Sequence, residues 1–489
     1  MWSFSDSSIW KLGVLILVLG AGSSVWLSCG GNPSFNLIQI ENQKQGDPTW
    51  QITTPATERE IEGYASATSV NHGDSISFFV NTAEPSYSFD IYRMGWYGGV
   101  GGRKMMPTAR LPGVPQPMPE PDPTTGLIEC HWKSSYTMKI PYDPVDPTDW
   151  LSGVYLVKLT ASSSGKQSYI IFVVRDDSRR SGLIFQTAVT TYEAYNTWGG
   201  LSLYTAPRRA YKVSFNRPYP EAGGGTLFRW EFYMLRFLER EGYDVSYSTD
   251  LDTHTRGDLL LLHKAWITVG HDEYWSAQMR ANIEAARDAG VSLGFFSSNN
   301  VYWQVRFEPS PITGEPNRTM VCYKSATLDP YYTDGIPDHQ HLVTVRFRDP
   351  PVNRPEDALV GVMYQSRTLR TYDMVILDAS HWIFANTGLL NGSHLQDLLG
   401  YEADRMYGHA PPGTVRVAHS PYLYNGATLY SDMTVYTTAA GSTVVATGSM
   451  QWSWGLDDYS YPGNLSSNNP AVQQATRNIL ARFLAPMSR

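Results

Sequence analysis

Cysteine is scarce in this chain, with 3 residues in 489. Cys29 lies in the N-terminal segment, which leaves Cys130 and Cys322 for the body of the protein. Disulfide-dependent secreted domains carry many more cysteines in shorter chains, so a disulfide scaffold is excluded. Neither thiol has the Gly-rich turn of a nucleophile site, and His131 beside Cys130 would point to the other side of a strand. Both thiols are predicted to be structural.

Charged residues are also few, at 17%, and runs of one sign are short. A formal net charge of −8 gives no electrostatic footprint for nucleic acid, so we expect no nucleic-acid partner. The 42% hydrophobic content is typical of a globular protein. The 31 Tyr, 15 Trp and 17 Phe favour β-rich surfaces and pockets with polar linings. The length predicts two or three domains.

A long apolar run occurs near the N-terminus, where Lys11 precedes Leu12 to Leu19 and small residues follow. This order of regions is typical of an export signal. The Cys29 context resembles a lipoprotein cleavage site, although Trp26 is unusual there. We expect residues 1–29 to be a signal peptide, 30–34 a tether and the lipid on Cys29 a membrane anchor. The alternative is an uncleaved anchor, because Leu12 to Ser28 approaches the thickness of a membrane.

Alternation with a period of two dominates residues 35–177. Strand-like segments are separated by Gly, Pro and Asn turns, and no helical pattern interrupts them. These segments are 74–80, 87–94, 136–140, 153–159 and 167–174. The pattern predicts an immunoglobulin-like β-sandwich.

Strands and helices alternate in residues 182–487. Buried strands are predicted at 183–187, 243–247, 259–262 and 291–296, and helices at 226–240, 277–289 and 471–484. Residues 319–461 return to short strands and long loops, which we interpret as an elaboration on the core. The alternation predicts a flavodoxin-like or class I glutamine-amidotransferase-like α/β domain with a mostly parallel sheet.

Polar residues follow several of these strands. His271 and Glu273 come after the apolar run that ends near Thr268, and Thr191 to Gly200 and Ser297 to Asn300 follow two other strands. The carboxyl ends of parallel strands share one edge, so these residues are expected to converge there. Residues two apart in extended backbone point to one side, as His271 and Glu273 would. The alternative is helix capping, with Asp272 as the N-cap and Glu273 in the first turn.

Several segments together resemble the large (beta) subunit of the N,N-dimethylformamidase family, most closely its C-terminal domain. The segments that carry the resemblance are Thr191 to Gly200, Val269 to Ser276, Phe295 to Asn299, Leu399 to Asp404, Ile91 to Gly99 and Ser152 to Tyr155. The resemblance covers about residues 35–487. It implies a mononuclear ferric ion held by two tyrosinates and one glutamate.

The resemblance also implies which residues hold the metal and act on the substrate. Glu273 is the expected carboxylate ligand. Tyr155 and either Tyr192 or Tyr195 are the expected phenolate ligands. The residues expected around a small-molecule amide substrate are His271, Asn299 and Glu402. Phenolate and carboxylate oxygens suit a hard cation such as Fe(III), which agrees with this set.

The sequence therefore predicts an exported, ferric-iron-dependent hydrolase of a C–N amide bond. Two alternatives stay open. One is a cell-surface protein that binds carbohydrate or peptide without catalysis. The other is a metal-free glycosidase that uses Glu273 and Glu402 as paired carboxylates. A homo-oligomer is compatible with the sequence. The separate small subunit of the family and the N-terminal lectin-like part of its large subunit have no counterpart here, so the substrate is left open.

Overall fold

The computed structural model describes residues 36–461 and 468–486. In it, the first half of the chain, where apolar and polar residues alternate, forms strands. The strands of this half are β1 (Glu62–Ala65), β2 (Ser69–Asn71), β3 (Ser75–Asn81), β4 (Ser86–Met94), β5 (Gly102–Lys104), β6 (Ala109–Pro112), β7 (Tyr136–Lys139), β8 (Gly153–Ala161) and β9 (Gln167–Arg175). A short helix, α1 (Leu37–Glu41), precedes them. The five strand segments predicted in this half are confirmed.

These strands form two sheets around one apolar core. One sheet has the order β2-β9-β8-β4-β5, with β6 also paired to β4, and the other is β1-β3-β7. Phe78 of β3 packs edge-on against Phe89 of β4 and Phe172 of β9, so the core contains side chains from both sheets. Inward and outward residues alternate along β3, as expected for a strand with one buried face.

In the second half, strands and helices alternate at first and strands predominate later. The strands are β10 (Leu183–Thr187), β11 (Lys212–Ser214), β12 (Val245–Thr249), β13 (Ala265–Gly270), β14 (Tyr274–Ser276), β15 (Ser292–Ser297), β16 (Trp303–Glu308), β17 (Thr319–Val321), β18 (Met363–Arg367), β19 (Tyr372–Val375), β20 (His394–Leu399), β21 (Glu402–Arg405), β22 (Val415–Tyr424), β23 (Ala427–Thr437) and β24 (Thr443–Ala446). The helices are α2 (Val189–Tyr195), α3 (Phe232–Arg240), α4 (Asp250–Thr255), α5 (Ala277–Asp288), α6 (Pro330–Thr333), α7 (Asp357–Val360) and α8 (Pro470–Leu484).

The largest sheet has the order β12-β10-β13-β15-β24-β23-β22. Its first five strands are parallel to one another, and β23 and β22 complete it as antiparallel neighbours. A four-stranded sheet, β11-β17-β16-β14, and two pairs, β18-β21 and β19-β20, lie outside it. The carboxyl ends of β10, β13 and β15 share one edge of the largest sheet, where the candidate site is found.

Two expectations for this half were wrong. Residues 259–262 are not a strand, because they belong to a 3-10 helix (Gly257–Leu262) and the strand follows at Ala265–Gly270. The four leucines of that run cannot distinguish a short strand from a helical turn. Residues 319–461 are more than an elaboration, because β22, β23 and β24 complete the largest sheet.

The described residues form a β-rich chain with several sheets and interspersed helices, and they belong to one compact unit. One cluster of buried apolar side chains contains Met94 and Val154 from the first half together with Phe185 and Phe232 from the second. The finer assignments to an immunoglobulin-like sandwich and a flavodoxin-like domain stay predictions, as do the domain boundaries.

The predicted signal segment 1–29 and the tether 30–34 lie outside the described residues. Within the described ranges, no helix is long and apolar enough to cross a membrane. Cys130 and Cys322 are both buried and free. Burial raises the pKa of the Cys322 thiol to about 12, which keeps this thiol protonated and unreactive.

Candidate active site

The site begins where β13 ends at Gly270. This residue has a φ of +75°, and a Cβ added to it would lie 2.4 Å from Cβ of Trp230. Only glycine can therefore turn the chain here without strain and without a clash. The turn brings His271 and Glu273 to the carboxyl edge of the sheet, both more than nine-tenths buried. Nε2 of His271 lies 3.3 Å from Oε2 of Glu273, so the prediction that they share one side is confirmed.

The backbone of Glu273 is fixed from two sides. Its N–H donates to Oγ1 of Thr191 in α2 at 2.9 Å, and its carbonyl accepts from the N–H groups of Tyr302 and Trp303 at 2.9 and 3.0 Å. The capping alternative is wrong, because α5 begins at Ala277 and its N-cap is Ser276. The Asp272 carboxylate instead accepts hydrogen bonds inside the core, from side chains that include Gln186 and Trp275.

Two tyrosine hydroxyls donate to the carboxylate of Glu273. Tyr195, the last residue of α2, donates to Oε2 at 2.8 Å, and Tyr204 lies 2.9 and 3.0 Å from Oε1 and Oε2. The two hydroxyls are 3.1 Å apart, and their rings stack at 4.3 Å. A third hydroxyl, of Tyr274, donates to the Tyr204 oxygen. Three phenol oxygens and one carboxylate therefore converge at one point.

Burial and charge act together on these groups. Burial of the hydroxyl ends, with the negative charge of Glu273, holds the pKa of Tyr195, Tyr204 and Tyr274 well above the usual value of 10. Burial also raises the pKa of Glu273, although His271 opposes this shift. The phenols are therefore protonated at neutral pH, and deprotonation requires a strong positive charge beside them.

One cation lies close to these rings. Nζ of Lys324 is 3.3 Å from the centre of the Tyr204 ring, and the rings of Tyr274 and Trp303 lie at 5.2 and 5.0 Å. Burial lowers the pKa of Lys324 to about 8. The ammonium group thus places positive charge on the face of the Tyr204 ring, and this charge also acts on Glu273.

His271 connects Glu273 to a second carboxylate. Its Nε2 lies 3.0 Å from Oε2 of Glu402, an approach that is close enough for an ion pair but lacks the alignment of a hydrogen bond. Burial alone would lower the pKa of His271, but the charges of Glu402 and Glu273 outweigh burial and raise this pKa to about 9. The imidazolium therefore lies between two buried acids.

Asn299 and Glu402 are held together through Asp404. The backbone N–H of Asn299 donates to both oxygens of Asp404, at 2.8 and 3.0 Å, and Ser298 donates to Oδ1 at 2.7 Å. Asp404 and Glu402 are two residues apart on β21, so anchoring Asp404 also places Glu402. Oδ1 of Asn299 is buried and makes no hydrogen bond to any residue of the described ranges.

The structure does not bring two of the expected ligands to Glu273. Tyr155 lies in the core of the first half, where its hydroxyl donates to the carbonyl of Leu151 at 2.7 Å and its ring stacks on Trp150. Tyr192 is also buried, and its hydroxyl faces Glu231, whose charge helps to raise the pKa of that hydroxyl. The expectation for Tyr155 is therefore corrected, and of the pair Tyr192 and Tyr195 only Tyr195 reaches the cluster.

Sequence reasoning missed Tyr204, Tyr274 and Lys324. Tyr274 lies within the His271 to Ser276 motif, but strict alternation would point it away from Glu273. Tyr204 and Lys324 lie in irregular segments, and Lys324 has a φ of +56°. Neither segment has a periodic pattern from which the direction of its side chains could be read.

The oxygens around Glu273 are possible ligands for a metal ion. Across residues 36–461 and 468–486, no group of three or more His, Cys, Asp or Glu side chains is arranged to hold a metal. A metal here would depend on tyrosine oxygens. The oxygens of Tyr195, Tyr204 and Glu273 are 2.8–3.1 Å apart, and all three are hard donors. These oxygens therefore suit a hard cation.

A cavity of about 350 Å³ adjoins the cluster. Tyr195 and His271 form part of its wall, which connects the cavity to the convergent oxygens. Trp230 and Tyr401 line another part, with the guanidinium of Arg229 over both rings at 5.0 and 5.6 Å. A concave space with perturbed acids at one end has the features of an active site.

Comparisons with known proteins agree with the resemblance. A family model described as "N,N-dimethylformamidase beta subunit-like, C-terminal" matches residues 88–468. The N,N-dimethylformamidase beta subunit of Paracoccus aminophilus is 24% identical over 344 residues, which are 60% of this chain and 42% of that protein. The chain thus spans less than half the length of this relative.

Proposed function

We propose that this chain, which belongs to the N,N-dimethylformamidase beta subunit-like family, hydrolyses the C–N bond of a small-molecule amide. The observation that supports this most strongly is the convergence of Tyr195 and Tyr204 on Glu273, with the His271–Glu402 pair beside it. The relative's name supports an amide as the substrate class. The family match covers the residues that build the cluster, from Tyr195 to Glu402.

The proposal includes a mononuclear ferric ion held by Tyr195, Tyr204 and Glu273. When bound, such an ion would act as a Lewis acid on the amide carbonyl and on water. Its charge would also lower the pKa of both phenols, which burial and Glu273 otherwise keep raised. In this proposal Tyr204 takes the ligand position that the family resemblance implied for Tyr155.

Glu402 and His271 are suited to proton transfer. Oε2 of Glu402 lies 3.0 Å from Nε2 of His271 but makes no aligned hydrogen bond within the described residues, so this carboxylate can accept a proton from water and deliver it to the leaving nitrogen. His271 holds a proton on Nε2 between two carboxylates and can orient Glu402. The side-chain amide of Asn299 can donate to the developing oxyanion, because its backbone is fixed by Asp404.

We also propose that the chain has an immunoglobulin-like sandwich and a flavodoxin-like domain, and that it is exported. The face-to-face packing of two sheets in the first half supports an immunoglobulin-like sandwich, and five parallel strands support a flavodoxin-like domain. Export, with a lipid on Cys29 as the membrane anchor, rests on the sequence of residues 1–29. The glycosidase alternative is less favoured, because both oxygens of Glu273 already accept hydrogen bonds from tyrosine.

The test is metal analysis, a visible spectrum and an amidase assay on the purified full chain from iron-replete cells. We expect bound iron and a phenolate-to-iron absorption band. Tyr204→Phe is expected to shift or abolish this band and to lower the iron content. Tyr332→Phe, which changes an exposed tyrosine, is the matched control and should leave both unchanged.

Glu402→Gln separates proton transfer from metal binding in the same assay. Loss of a general acid–base group typically costs 10²–10⁴-fold in rate, so we expect at least a hundredfold lower kcat with iron content and colour retained. Glu120→Gln, an exposed glutamate, is the control. Colourless, iron-free protein would contradict the metal assignment, and full activity in Glu402→Gln would contradict the mechanism.

A further inference from the structure

The cavity beside the cluster carries information about the size of the substrate. Its volume of about 350 Å³ lies in the range of roughly 300–1,000 Å³ that encloses drug-sized ligands. Dimethylformamide would fill only a small part of such a space. The part of the substrate remote from the amide therefore has a place to bind.

The lining indicates the shape of that remote part. Six aromatic side chains border the cavity, namely Tyr192, Tyr195, Tyr219, Trp230, Tyr401 and Tyr461. Aromatic rings pack favourably against another planar ring in stacked or edge-on arrangements. Tyr192 and Tyr219 already meet edge-on, at 6.2 Å, so the wall is partly preorganised.

Two polar side chains of the same wall make hydrogen bonds within the protein. The Asn196 amide donates to Glu193 and to the carbonyl of Pro218, and its oxygen accepts from the Trp198 N–H. Oγ1 of Thr191 accepts from the Glu273 N–H. The side-chain amide of Asn196 is therefore not free to bind a ligand, whereas the aromatic side chains line the space itself. Glu221 and Arg229 bear opposite charges on the lining, so charge favours no anionic or cationic ligand.

From these observations we infer that the physiological substrate is an amide with an aromatic ring, which lies in this cavity while the amide meets Tyr195 and His271. This rests on the proposed function and specifies its substrate class. Formanilide is a simple probe of the class. Its hydrolysis adds the oxygen of water to the formyl carbon, breaks the C–N bond and transfers a proton to nitrogen, giving formate and aniline.

The first measurement compares kcat/KM for formanilide, dimethylformamide and an N-acetylated sugar with the full chain. We expect formanilide to be preferred over both by at least tenfold, because binding energy from a remote group can be used in the transition state. Equal or faster turnover of dimethylformamide or of the sugar amide would overturn the inference and leave the proposed hydrolase function intact.

A second measurement uses a variant whose larger side chain fills part of the cavity. Gly225 lines it, and a Cβ added there would lie 3.6 Å from the Tyr461 hydroxyl, an ordinary contact. Gly225→Leu is expected to lower the formanilide-to-dimethylformamide ratio of kcat/KM at least tenfold. Gly408→Leu is the matched control, since a Cβ on Gly408 would meet open space. An unchanged ratio in Gly225→Leu would overturn the inference.

A third variant keeps the result interpretable if Gly225→Leu does not fold. Tyr401 is 43% exposed, so Tyr401→Leu removes a ring with little risk to the core. We expect KM for formanilide to rise about three- to tenfold, the equivalent of one aromatic contact. Tyr332→Leu is the control.

Binding of formanilide by equilibrium dialysis separates the inference from the proposed function. The wild-type chain could bind formanilide, with weaker binding in Tyr401→Leu, but hydrolyse no amide. That result would contradict the proposed hydrolase function and support a binding site for an aromatic ring. Absence of binding as well as of turnover would refute both.

Discussion

At the scale of single residues, the site depends on acids whose burial is unusual. Glu273, Glu402, Asp404 and Glu231 are all more than nine-tenths buried. Burial raises the pKa of Asp404 to about 6 and that of Glu231 to about 8. Carboxyl groups with shifted pKa values, such as those of Asp404 and Glu231, are concentrated at functional sites and make stability depend on pH.

Glu231 should make the protein less stable as pH rises. Its folded-state pKa of about 8 exceeds the usual 4.5, so between these values the folded state holds a proton that the unfolded chain releases. The contribution of Glu231 is therefore complete below about pH 4.5 and is lost as pH rises through about 8. Glu231→Gln, which stays neutral, should flatten this dependence by up to about 1.4 kcal/mol per pH unit.

The measurement is urea denaturation of both proteins between about pH 5 and pH 8. Glu120→Gln is the control, because an exposed carboxyl should leave the pH dependence of the wild-type protein unaltered. If the free energy of unfolding changes with pH in the same way for wild type and Glu231→Gln, the raised pKa of Glu231 is refuted.

At the scale of elements, the β13–β14–α5 segment keeps the candidate site residues apart from the helix cap. β13 ends at Gly270, the site residues occupy the turn, and α5 starts only after β14. Oγ of Ser276 accepts from the Met279 N–H at 3.0 Å and contacts Nδ1 of His254 at 2.8 Å. Capping is therefore the task of Ser276, and Glu273 is available for the site.

Ser276→Ala should destabilise the protein without affecting the site. Loss of the cap leaves the Met279 N–H unsatisfied in a buried place and costs about 1–2 kcal/mol of unfolding free energy. If the proposed ferric site is present, its iron content and visible spectrum should be unchanged, because Ser276 is not one of the proposed ligands. The check is chemical denaturation against Ser162→Ala, an exposed serine. A stable Ser276→Ala protein would show that α5 is capped in another way.

At the scale of the whole molecule, a buried ion pair joins the two halves of the chain. Arg93 of β4 donates to both oxygens of Glu239 of α3, at 3.0 and 2.7 Å, and both side chains are fully buried. Tyr247 and Asn42 also donate to Glu239, each at 2.9 Å. Burial lowers the pKa of Arg93, but the charges of Glu239 and Glu41 outweigh burial and keep this pKa well above its usual value.

Glu239→Gln should destabilise the protein strongly. Removal of one partner leaves the buried guanidinium of Arg93 uncompensated, which typically costs 3–5 kcal/mol. Denaturation of Asp349→Asn gives the comparison, because its pairing with Arg346 is partly exposed and worth at most about 1 kcal/mol. If Glu239→Gln lowers the free energy of unfolding by less than about 1 kcal/mol, the ion pair contributes little to holding the two halves together.

The sequence predicted much of this protein because its local patterns are strong. Alternation marked the strands of the first half, and the spacing of apolar residues marked α3, α5 and α8, since these periods follow directly from backbone geometry. His271 and Glu273 were found for the same reason, as polar residues two apart at the end of a buried strand.

Tertiary structure alone decided which tyrosines meet Glu273. Tyr155 has a suitable residue type but lies in the core of the first half, whereas Tyr204 reaches Glu273 from an irregular loop. It also brought β22, β23 and β24 into the largest sheet, placed Glu402 beside His271 and anchored Asp404 to Asn299. The physical reason is that periodicity fixes the direction of a side chain within its own strand or helix. Contacts between segments distant in the chain depend on how those elements pack.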